Sequence, residues 1–265
     1  MITTSTRIDT EDQFSWDNIT STFDNDTLIF RDTLFDNGVA RFEQFENGLR
    51  SVTTQYDNVD LSTGEAPADG GAFSWTEQST FYDQDGALEF RETTFDNGVE
   101  KFEQFENGVR SFTYQSDNID QFTGETPADG GAFSWTEQTT YYDPDGVITE
   151  RETLNDDGTV KVERFEDGER SALGLLDEED AFDWNAQATL YENGEVSVKA
   201  TQWDNLDELY LIYEDQALAA RLEHNADGTL ELTEYGPEGP IVTDYESREG
   251  LAPEYDALLP QYADF

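Results

Sequence analysis

The stretch FDNGVEKFEQFENGVRSF, residues 95–112, contains two Asn-Gly pairs set between runs of aromatic, charged and β-branched residues. An Asn-Gly pair in this setting is the strongest short-range signal for a β-hairpin, because a two-residue type I′ turn needs positive φ at both positions. The segments between such turns have the length of strands and are too short for helices. The sequence therefore predicts antiparallel strands joined by tight turns at the pairs Asn37-Gly38, Asn47-Gly48, Asn97-Gly98, Asn107-Gly108 and Asn193-Gly194.

Nearly the same stretch, FDNGVARFEQFENGLRSV, occurs sixty residues earlier, and self-similarity at a fixed period indicates a repeat protein. Four units open with FSW or FDW, and each predicts a four-stranded meander. The predicted organisation is an N-terminal arm (1–13), three repeats (14–72, 73–132 and 133–181), a divergent fourth repeat (182–235) and a C-terminal tail (236–265).

We predict an all-β fold in which the tandem four-stranded antiparallel meanders form a continuous twisted or curled sheet. A four-bladed β-propeller fits the number of units equally well, but its blades must bury both faces against neighbouring blades. The mean hydropathy of −0.73 and the charges on both deduced faces favour the sheet over the propeller, and over a barrel or sandwich.

The turn positions also predict which residues face each other. If Asn97-Gly98 is a two-residue turn, Phe95 faces Glu100, and Lys101 lies diagonal to Glu92. Both faces of the predicted sheet then mix aromatic and charged side chains, and neither face is a purely apolar core.

The few basic residues recur at fixed places in the repeats. We expect them to neutralise carboxylates within the sheet and to stack on aromatic rings, with Arg110 beside Phe105 and diagonal to Glu103. A stripe that binds anions is the alternative, and the net charge of the chain opposes it. The three recurring columns are Arg31, Arg91 and Arg151, then Arg41, Lys101 and Lys161, then Arg50, Arg110 and Arg170.

The charge balance limits the partners of this chain. It has 14 basic and 61 acidic residues, a formal net charge of −47, which repels nucleic acid and anionic membranes and concentrates cations. An aromatic content of 13% is too high for a disordered acidic chain, so we expect a folded protein that works in salt or with divalent cations.

Several functional classes are excluded by composition. The chain has no cysteine and one histidine, His224, so zinc sites, iron-sulfur clusters, thiol catalysis and disulfides are not expected. Nucleotide-binding and nucleophile-elbow motifs are absent, and the acidic residues repeat where an active site would be unique. We therefore predict that the protein is not an enzyme.

No stretch approaches the roughly 20 apolar residues of a membrane span, and the first residues contain no apolar core typical of a cleaved signal peptide. The sequence therefore predicts no membrane insertion. It also predicts either a cytoplasmic protein or one exported without such a signal peptide.

The acidic loops are the predicted metal ligands. Carboxylates two residues apart, as in D-x-D-G, supply several oxygen atoms from one turn, and Ca²⁺ takes six to eight oxygen ligands. The alternative is that Asp, Asn and Gly are simply good turn formers. No loop matches an EF-hand. The candidate ligands form two series, first Asp24, Asp26, Asp83, Asp85, Asp143 and Asp145, and second Asp57, Asp60, Asp117, Asp120, Asp177 and Asp180.

The Phe-x-Trp pairs that open the units place two large rings on one face of a strand. We expect them to form the buried anchor of each unit, because each ring covers a large apolar area. Rows of aromatic rings that bind sugars are the alternative. The four pairs are Phe14 and Trp16, Phe73 and Trp75, Phe133 and Trp135, and Phe182 and Trp184.

Units of the form FSW…YDxDG…R…FDNG…FENGVRS…D resemble the acidic hairpin repeats of RTX-like, type I-secreted, calcium-associated proteins of marine alphaproteobacteria, over roughly residues 14–235. The resemblance implies calcium association and an uncleaved C-terminal secretion signal, for which the tail ending LLPQYADF is the candidate. The glycine-rich nonapeptide of that family is not present, so its calcium β-roll is not implied. The turn-rich pattern is also similar to the hairpin repeats of MORN-type proteins, which act as interaction surfaces.

These features predict a non-enzymatic protein, secreted or surface-associated, whose acidic loops bind calcium and whose sheet has a structural, adhesive or self-assembling role. Self-association would use the edge strands of the open sheet. Two alternatives come from other classes. One is an intracellular acidic inhibitor or immunity protein that mimics nucleic acid, and the other is a carbohydrate-binding module that uses the Phe-x-Trp rows.

Overall fold

The computed structural model describes residues 1–10, 13–57, 73–117 and 131–257, and 67% of these residues are in strands against 3% in helices. The predicted all-β class is confirmed. The chain divides into two compact units, Met1–Gly146 and Val147–Phe265. Within the described ranges, no helix has the length and apolar character that crossing a membrane requires.

The first unit contains ten strands. They are β1 (Ile2–Ile8), β2 (Trp16–Asp24), β3 (Thr27–Phe35), β4 (Ala40–Glu46), β5 (Leu49–Tyr56), β6 (Trp75–Tyr82), β7 (Leu88–Phe95), β8 (Glu100–Glu106), β9 (Val109–Ser116) and β10 (Trp135–Tyr142).

The second unit contains nine strands, a 3₁₀ helix (Arg248–Gly250) and the short helix α1 (Pro253–Asp256). The strands are β11 (Ile148–Asn155), β12 (Thr159–Glu166), β13 (Glu169–Asp177), β14 (Trp184–Glu192), β15 (Glu195–Trp203), β16 (Glu208–Glu214), β17 (Ala217–His224), β18 (Leu230–Gly236) and β19 (Gly239–Tyr245).

Within each unit, every strand pairs antiparallel with the next strand along the chain, which is a meander. The pairings β5–β6 and β9–β10 join the first repeat to the second and the second to the third, and β13–β14 joins the third to the fourth. The predicted sheet that runs on from repeat to repeat is confirmed. The alternative of a four-bladed propeller is wrong, because separate blades would not share these hydrogen-bonded strand pairs.

The turn at Asn97-Gly98 differs from the prediction. The Phe95 N–H donates to the Val99 carbonyl at 2.8 Å, and the Gly98 N–H donates to the Phe95 carbonyl at 3.0 Å. Gly98 has a φ of 84°, whereas Asn97 has no positive φ, so the loop is a three-residue turn with a glycine bulge. Glu100 therefore pairs with Thr94 and not with Phe95.

This shift of one residue moves every side chain of β8 to the other face, because side chains alternate along a strand. Lys101 consequently does not approach Glu92, and instead its ammonium group lies 3.0 Å from the Glu103 carboxylate. The following turn, Asn107-Gly108, has φ values of 53° and 80° and is the two-residue turn that the sequence predicts. Phe105 faces Arg110 across it, which confirms that pairing.

Each of the first three repeats buries one glutamate among cations. In repeat 2 the Glu103 side chain is 5% exposed, and its carboxylate lies 2.6 Å from Arg110, 3.0 Å from Lys101 and 3.8 Å from Arg91. We call the side of the sheet that carries these groups the ionic face. The equivalent clusters are Glu43 with Arg31 and Arg50, and Glu163 with Arg151, Lys161 and Arg170.

The same arginines lie over aromatic rings. The Arg91 guanidinium is 5.8 Å from the centre of the Phe105 ring, and the Arg110 guanidinium is 5.7 Å from that of Tyr142. Attraction between a cation and the face of a ring adds to the ion pairs. Within the described residues, the expectation that the basic columns neutralise carboxylates is confirmed for every member except Arg41, which donates hydrogen bonds to Gln55 and lies over the Phe35 ring.

The opposite side of the sheet, which we call the aromatic face, carries a row of rings that crosses five strands of the first unit. The distances between successive ring centres are 4.2, 5.8, 6.3 and 5.5 Å, which suit edge-to-face and offset contacts. Cross-strand pairs of this kind are the main source of stability for a sheet with little covering. The rings belong to Phe81, Phe90, Phe102, Phe112 and Tyr141.

The two units differ in what they bury. Among the described residues of the first unit, the buried apolar side chains are Val39, Ala40 and Val99, and most other buried side chains are threonine, serine or acidic. The second unit has an apolar cluster that includes Tyr210 and Leu222, both 0% exposed. Leu251, which follows the 3₁₀ helix, packs into this cluster.

We predict that Glu103→Gln lowers the free energy of unfolding by about 3 kcal/mol, because it leaves Arg91, Lys101 and Arg110 without the buried charge that they surround. Urea denaturation followed by circular dichroism measures the loss. Glu106→Gln removes an exposed carboxylate from the same strand and should change stability by less than about 0.5 kcal/mol. Equal effects of the two substitutions would contradict the role of the buried cluster.

Candidate functional site

The four Phe-x-Trp pairs form stacked rings at the surface. The ring centres are 4.9 to 5.2 Å apart, and the planes differ by 5° to 20°. The phenylalanine of each pair is exposed, from 41% for Phe182 to 57% for Phe14, and the tryptophan beneath it is half-buried. The expectation of a buried anchor is therefore wrong, because the phenylalanine covers the tryptophan and presents its own outer face to solvent.

An aspartate before each pair holds the exposed phenylalanine in place. The Phe133 N–H donates to Oδ2 of Asp117 at 2.7 Å, and the Ala132 N–H donates to Oδ1 of the same carboxylate at 2.9 Å. A Cβ atom at Gly131 would lie 2.0 Å from this carboxylate, so the close approach requires glycine. The equivalent bonds join Asp9 to Phe14, Asp57 to Phe73 and Asp177 to Phe182, each at 2.7 Å.

The pairs of the first unit lie at the same end of its strands. Trp16, Trp75 and Trp135 each begin a strand, and these strands, β2, β6 and β10, are four positions apart and run in the same direction. Because neighbouring strands are about 4.8 Å apart, successive pairs are spaced by about 19 Å. Trp184 begins β14 in the same way within the second unit.

Further aromatic side chains lie opposite the tryptophans. Trp16 pairs across strands with Phe35, and Trp75 pairs with Phe95. The Arg41 guanidinium lies 4.8 Å from the centre of the Phe35 ring. The first two stacked pairs therefore each have a further aromatic residue on the neighbouring strand.

The first series of predicted calcium ligands forms turns. Oδ1 of Asp83 accepts hydrogen bonds from the Asp85 N–H at 2.9 Å and the Ala87 N–H at 2.8 Å. Oδ1 of Asp143 accepts from the Asp145 N–H at 2.9 Å. These are the contacts of a turn-forming aspartate.

Asp24 and Asp26 belong to another tight turn, in which Asn25 and Asp26 have positive φ values of 47° and 66°. In the second series, Asp57, Asp117 and Asp177 hold the loops described above, and Asp60 and Asp120 lie outside the described residues. Asp180 has a φ of 56° in the loop before Phe182.

The described part of the chain contains no group of three or more His, Cys, Asp or Glu side chains arranged to hold a metal ion. One loop region nevertheless concentrates carboxylates. Desolvation, together with the charges of Asp180, Asp177 and Asp183, raises the pKa of Asp204. Mutual repulsion of this kind is relieved by cations.

His224 takes part in a hydrogen-bond network of the second unit. Its Nδ1 lies 3.0 Å from Oε2 of Glu208, which also accepts the Tyr210 hydroxyl at 3.0 Å. These contacts link neighbouring strands and join a buried tyrosine to the half-buried histidine.

A pocket of about 360 Å³ lies on the aromatic face of repeat 2, and sequence reasoning missed it. Repeats 1 and 3 both have other residues at the positions of Thr94, Glu100, Tyr114 and Ser116, and these differences are the signal that the sequence offers. The pocket is lined by Glu92, Thr93, Thr94, Glu100, Lys101, Phe102, Tyr114 and Ser116. Of these, Thr93 and Lys101 belong to the ionic face, where the Lys101 ammonium group contacts Glu103.

Acidic groups surround this pocket. Desolvation by burial and the charge of Glu137, which also accepts a hydrogen bond from the phenol, raise the pKa of Tyr114 to about 12. Desolvation likewise raises the pKa of Glu77, and the charge of Glu92 adds to this effect, while the hydrogen bond from Tyr56 opposes it. Tyr114 is therefore a neutral hydrogen-bond donor at pH 7.

Comparison with known proteins identifies no family. No family model matches the chain, and no curated protein matches it. The crystal structure of Kluyvelomyces marxianus Hsv2 is similar over 90% of this chain and 95% of its own, with 10% sequence identity and a TM-score of 0.19. A TM-score this low carries no argument about fold or function. The resemblance to RTX-like repeats stays a prediction.

We predict that Asp117→Ala lowers the free energy of unfolding by about 1–3 kcal/mol, because the N–H groups of Ala132 and Phe133 lose their acceptor. Urea denaturation measures the loss, and iodide quenching of tryptophan fluorescence should increase as the ring of Phe133 leaves Trp135. Asp85→Ala, at an exposed turn position, is the control and should leave the quenching unchanged. Unchanged quenching in both variants would show that Asp117 does not hold the pair.

Proposed function

We propose that this chain is a non-enzymatic adhesive repeat protein that binds polysaccharide through its exposed Phe–Trp pairs. The observation that carries the proposal is the exposure of the phenylalanine in all four pairs, 57%, 48%, 46% and 41% for Phe14, Phe73, Phe133 and Phe182. A single exposed apolar side chain is common on a protein surface and needs no explanation. The same exposed ring at the same position of every repeat is not expected by chance, and it indicates a binding surface.

The chemistry of the pairs suits a sugar ring. The outer face of each phenylalanine is flat and apolar, and the stacked tryptophan and the aspartate bonds fix its direction. A fixed ring loses little conformational entropy when a ligand stacks on it. Because the chain carries a net charge of −47, the favoured polysaccharide is neutral or basic.

Repetition gives the proposed surface its strength. A single stacked ring binds a sugar weakly. The Phe–Trp pairs at one end of the strands are about 19 Å apart, so several pairs can bind one polymer chain at the same time. The second contact then forms at a high effective concentration, so the avidity exceeds the affinity of one pair by orders of magnitude. An adhesive role, outside the cell or at its surface, follows from this multivalency as part of the same proposal.

Calcium association is a second candidate, favoured by the cluster around Asp204. The charges of Asp180, Asp177 and Asp183 act on this carboxylate, and a divalent cation would reduce the repulsion among the four groups. Such a cation would stabilise the folded chain by screening this repulsion. This proposal concerns stability and is independent of polysaccharide binding.

We predict that the protein is retained on neutral polysaccharides in affinity electrophoresis, and that Phe73→Ala with Phe133→Ala weakens retention by at least tenfold through loss of two stacking contacts. Phe30→Ala is the matched control, because Phe30 is 47% exposed but belongs to no stacked Phe–Trp pair. Retention that is the same in the double variant and in the control would contradict the proposal, as would no retention by any neutral or basic polysaccharide.

We predict that CaCl₂ raises the melting temperature more than NaCl of equal ionic strength, and that Asp204→Asn reduces this excess, because it removes one of the four repelling carboxylates. Differential scanning calorimetry measures the shift. Glu89→Gln, which removes an exposed carboxylate of repeat 2, should leave the excess unchanged. Identical melting temperatures in the two salts would rule out specific calcium association.

A further inference from the structure

At the pocket on the aromatic face of repeat 2, several residues differ in chemistry from those of the neighbouring repeats. In repeat 1, Tyr56 occupies the position of Ser116, and its ring fills the equivalent space beside Glu77. Repeat 2 has smaller side chains than both other repeats at two lining positions, Thr94 and Ser116, and these leave the space that the cavity occupies. Repeat 2 differs from both other repeats at four lining positions, which are Thr94, Glu100, Tyr114 and Ser116 in repeat 2, Leu34, Ala40, Thr54 and Tyr56 in repeat 1, and Leu154, Val160, Gly174 and Leu176 in repeat 3.

Ser116 lines this cavity, and its hydroxyl has no hydrogen-bond partner in the part of the chain that the structure describes. Its side chain is 1% exposed, and its hydroxyl forms no hydrogen bond within the described residues. A buried hydroxyl without a partner is costly, so its presence in the lining of an open pocket indicates a ligand that completes it. Ser116 faces Glu100 on one neighbouring strand and Glu137 on the other.

The surrounding groups define the chemistry of that ligand. Glu100, Ser116 and Glu137 offer three acceptors side by side, and an alkylammonium group has three N–H donors. Phe102 and Tyr114, which face each other beside this row, offer ring faces that attract a cation and cover an alkyl chain. Among the described residues, none of the basic side chains forms an ion pair with Glu92 or Glu137.

We propose that this pocket binds a primary alkylammonium group, with its three N–H donors directed at Glu100, Ser116 and Glu137 and its alkyl chain against Phe102 and Tyr114. The pocket volume of about 360 Å³ accommodates a short amine. Repeats 1 and 3 lack the site, because Ala40 and Val160 stand where Glu100 supplies an acceptor. None of these residues belongs to a Phe–Trp pair.

Isothermal titration calorimetry of the full chain with n-pentylammonium chloride in 150 mM NaCl tests the proposal. We expect one site per chain and an affinity at least tenfold higher than for tetramethylammonium, which has the same charge but no N–H donor. In a labelled sample, the amide resonances that shift should be those of Glu100, Tyr114 and Ser116. 1,5-Diaminopentane and Nα-acetyl-lysine N-methylamide then distinguish a free amine from a lysine side chain of a peptide.

Two substitutions taken from repeat 1 provide the variants. Ser116→Tyr should fill the pocket without changing the net charge, and Glu100→Ala should remove one acceptor, each weakening pentylammonium binding at least tenfold. Glu89→Gln removes a charge from an exposed position of the same repeat and should leave binding unchanged. Equal affinity for the two cations, several equivalent sites, or resonance shifts spread over the whole chain would overturn the proposal. If a variant fails to fold, the amide resonance shifts of the unsubstituted chain still test whether pentylammonium binds at this pocket.

Discussion

The first unit depends on the attraction between one buried glutamate per repeat and the cations that surround it. A sheet with few buried apolar side chains gains little from the hydrophobic effect, so it needs another source of cohesion across its strands. Glu103 and its equivalents supply it, because each carboxylate binds cations from both neighbouring strands, and Glu103 and Glu163 also bind a lysine of their own strand. The Arg91 and Arg110 guanidinium groups also lie over aromatic rings. The arrangement also explains where a chain with 61 acidic residues places its 14 basic ones. Most of the basic residues lie beside the three buried glutamates, so the remaining surface is strongly negative.

Much of the fold was predictable from the sequence, because the period of the repeats and the Asn-Gly pairs are local signals. The register was not, because Asn97-Gly98 and Asn107-Gly108 contain the same two residues but form different turns. In the first pair Asn97 keeps a negative φ and Gly98 forms a bulge, and this choice depends on Phe95 and Val99 meeting across the loop. A difference of one residue decides whether Lys101 meets Glu103 or Glu92.

The candidate sites show the limits of sequence reasoning more clearly. The exposure of Phe73 and Phe133 was not predictable from their size, because it follows from the loop that Asp57 and Asp117 hold in place. The sequence predicted the same aspartates as calcium ligands. A carboxylate that accepts hydrogen bonds from backbone N–H groups cannot be distinguished by sequence from one that binds a cation. The pocket around Ser116 was not predicted, because the repeats were compared by the residues that they share and Ser116 is a position at which they differ.

The joints between repeats have a consequence for how such a chain changes in length. Thr53 pairs with Thr80 where repeat 1 meets repeat 2, and Thr113 pairs with Thr140 where repeat 2 meets repeat 3, so the two joints are interchangeable. A duplication or deletion of one sixty-residue unit by recombination would leave the strand register across the joint unchanged. The number of units can therefore change in a single genetic event, while a difference confined to one copy, such as the serine at position 116, can be gained without disturbing the others.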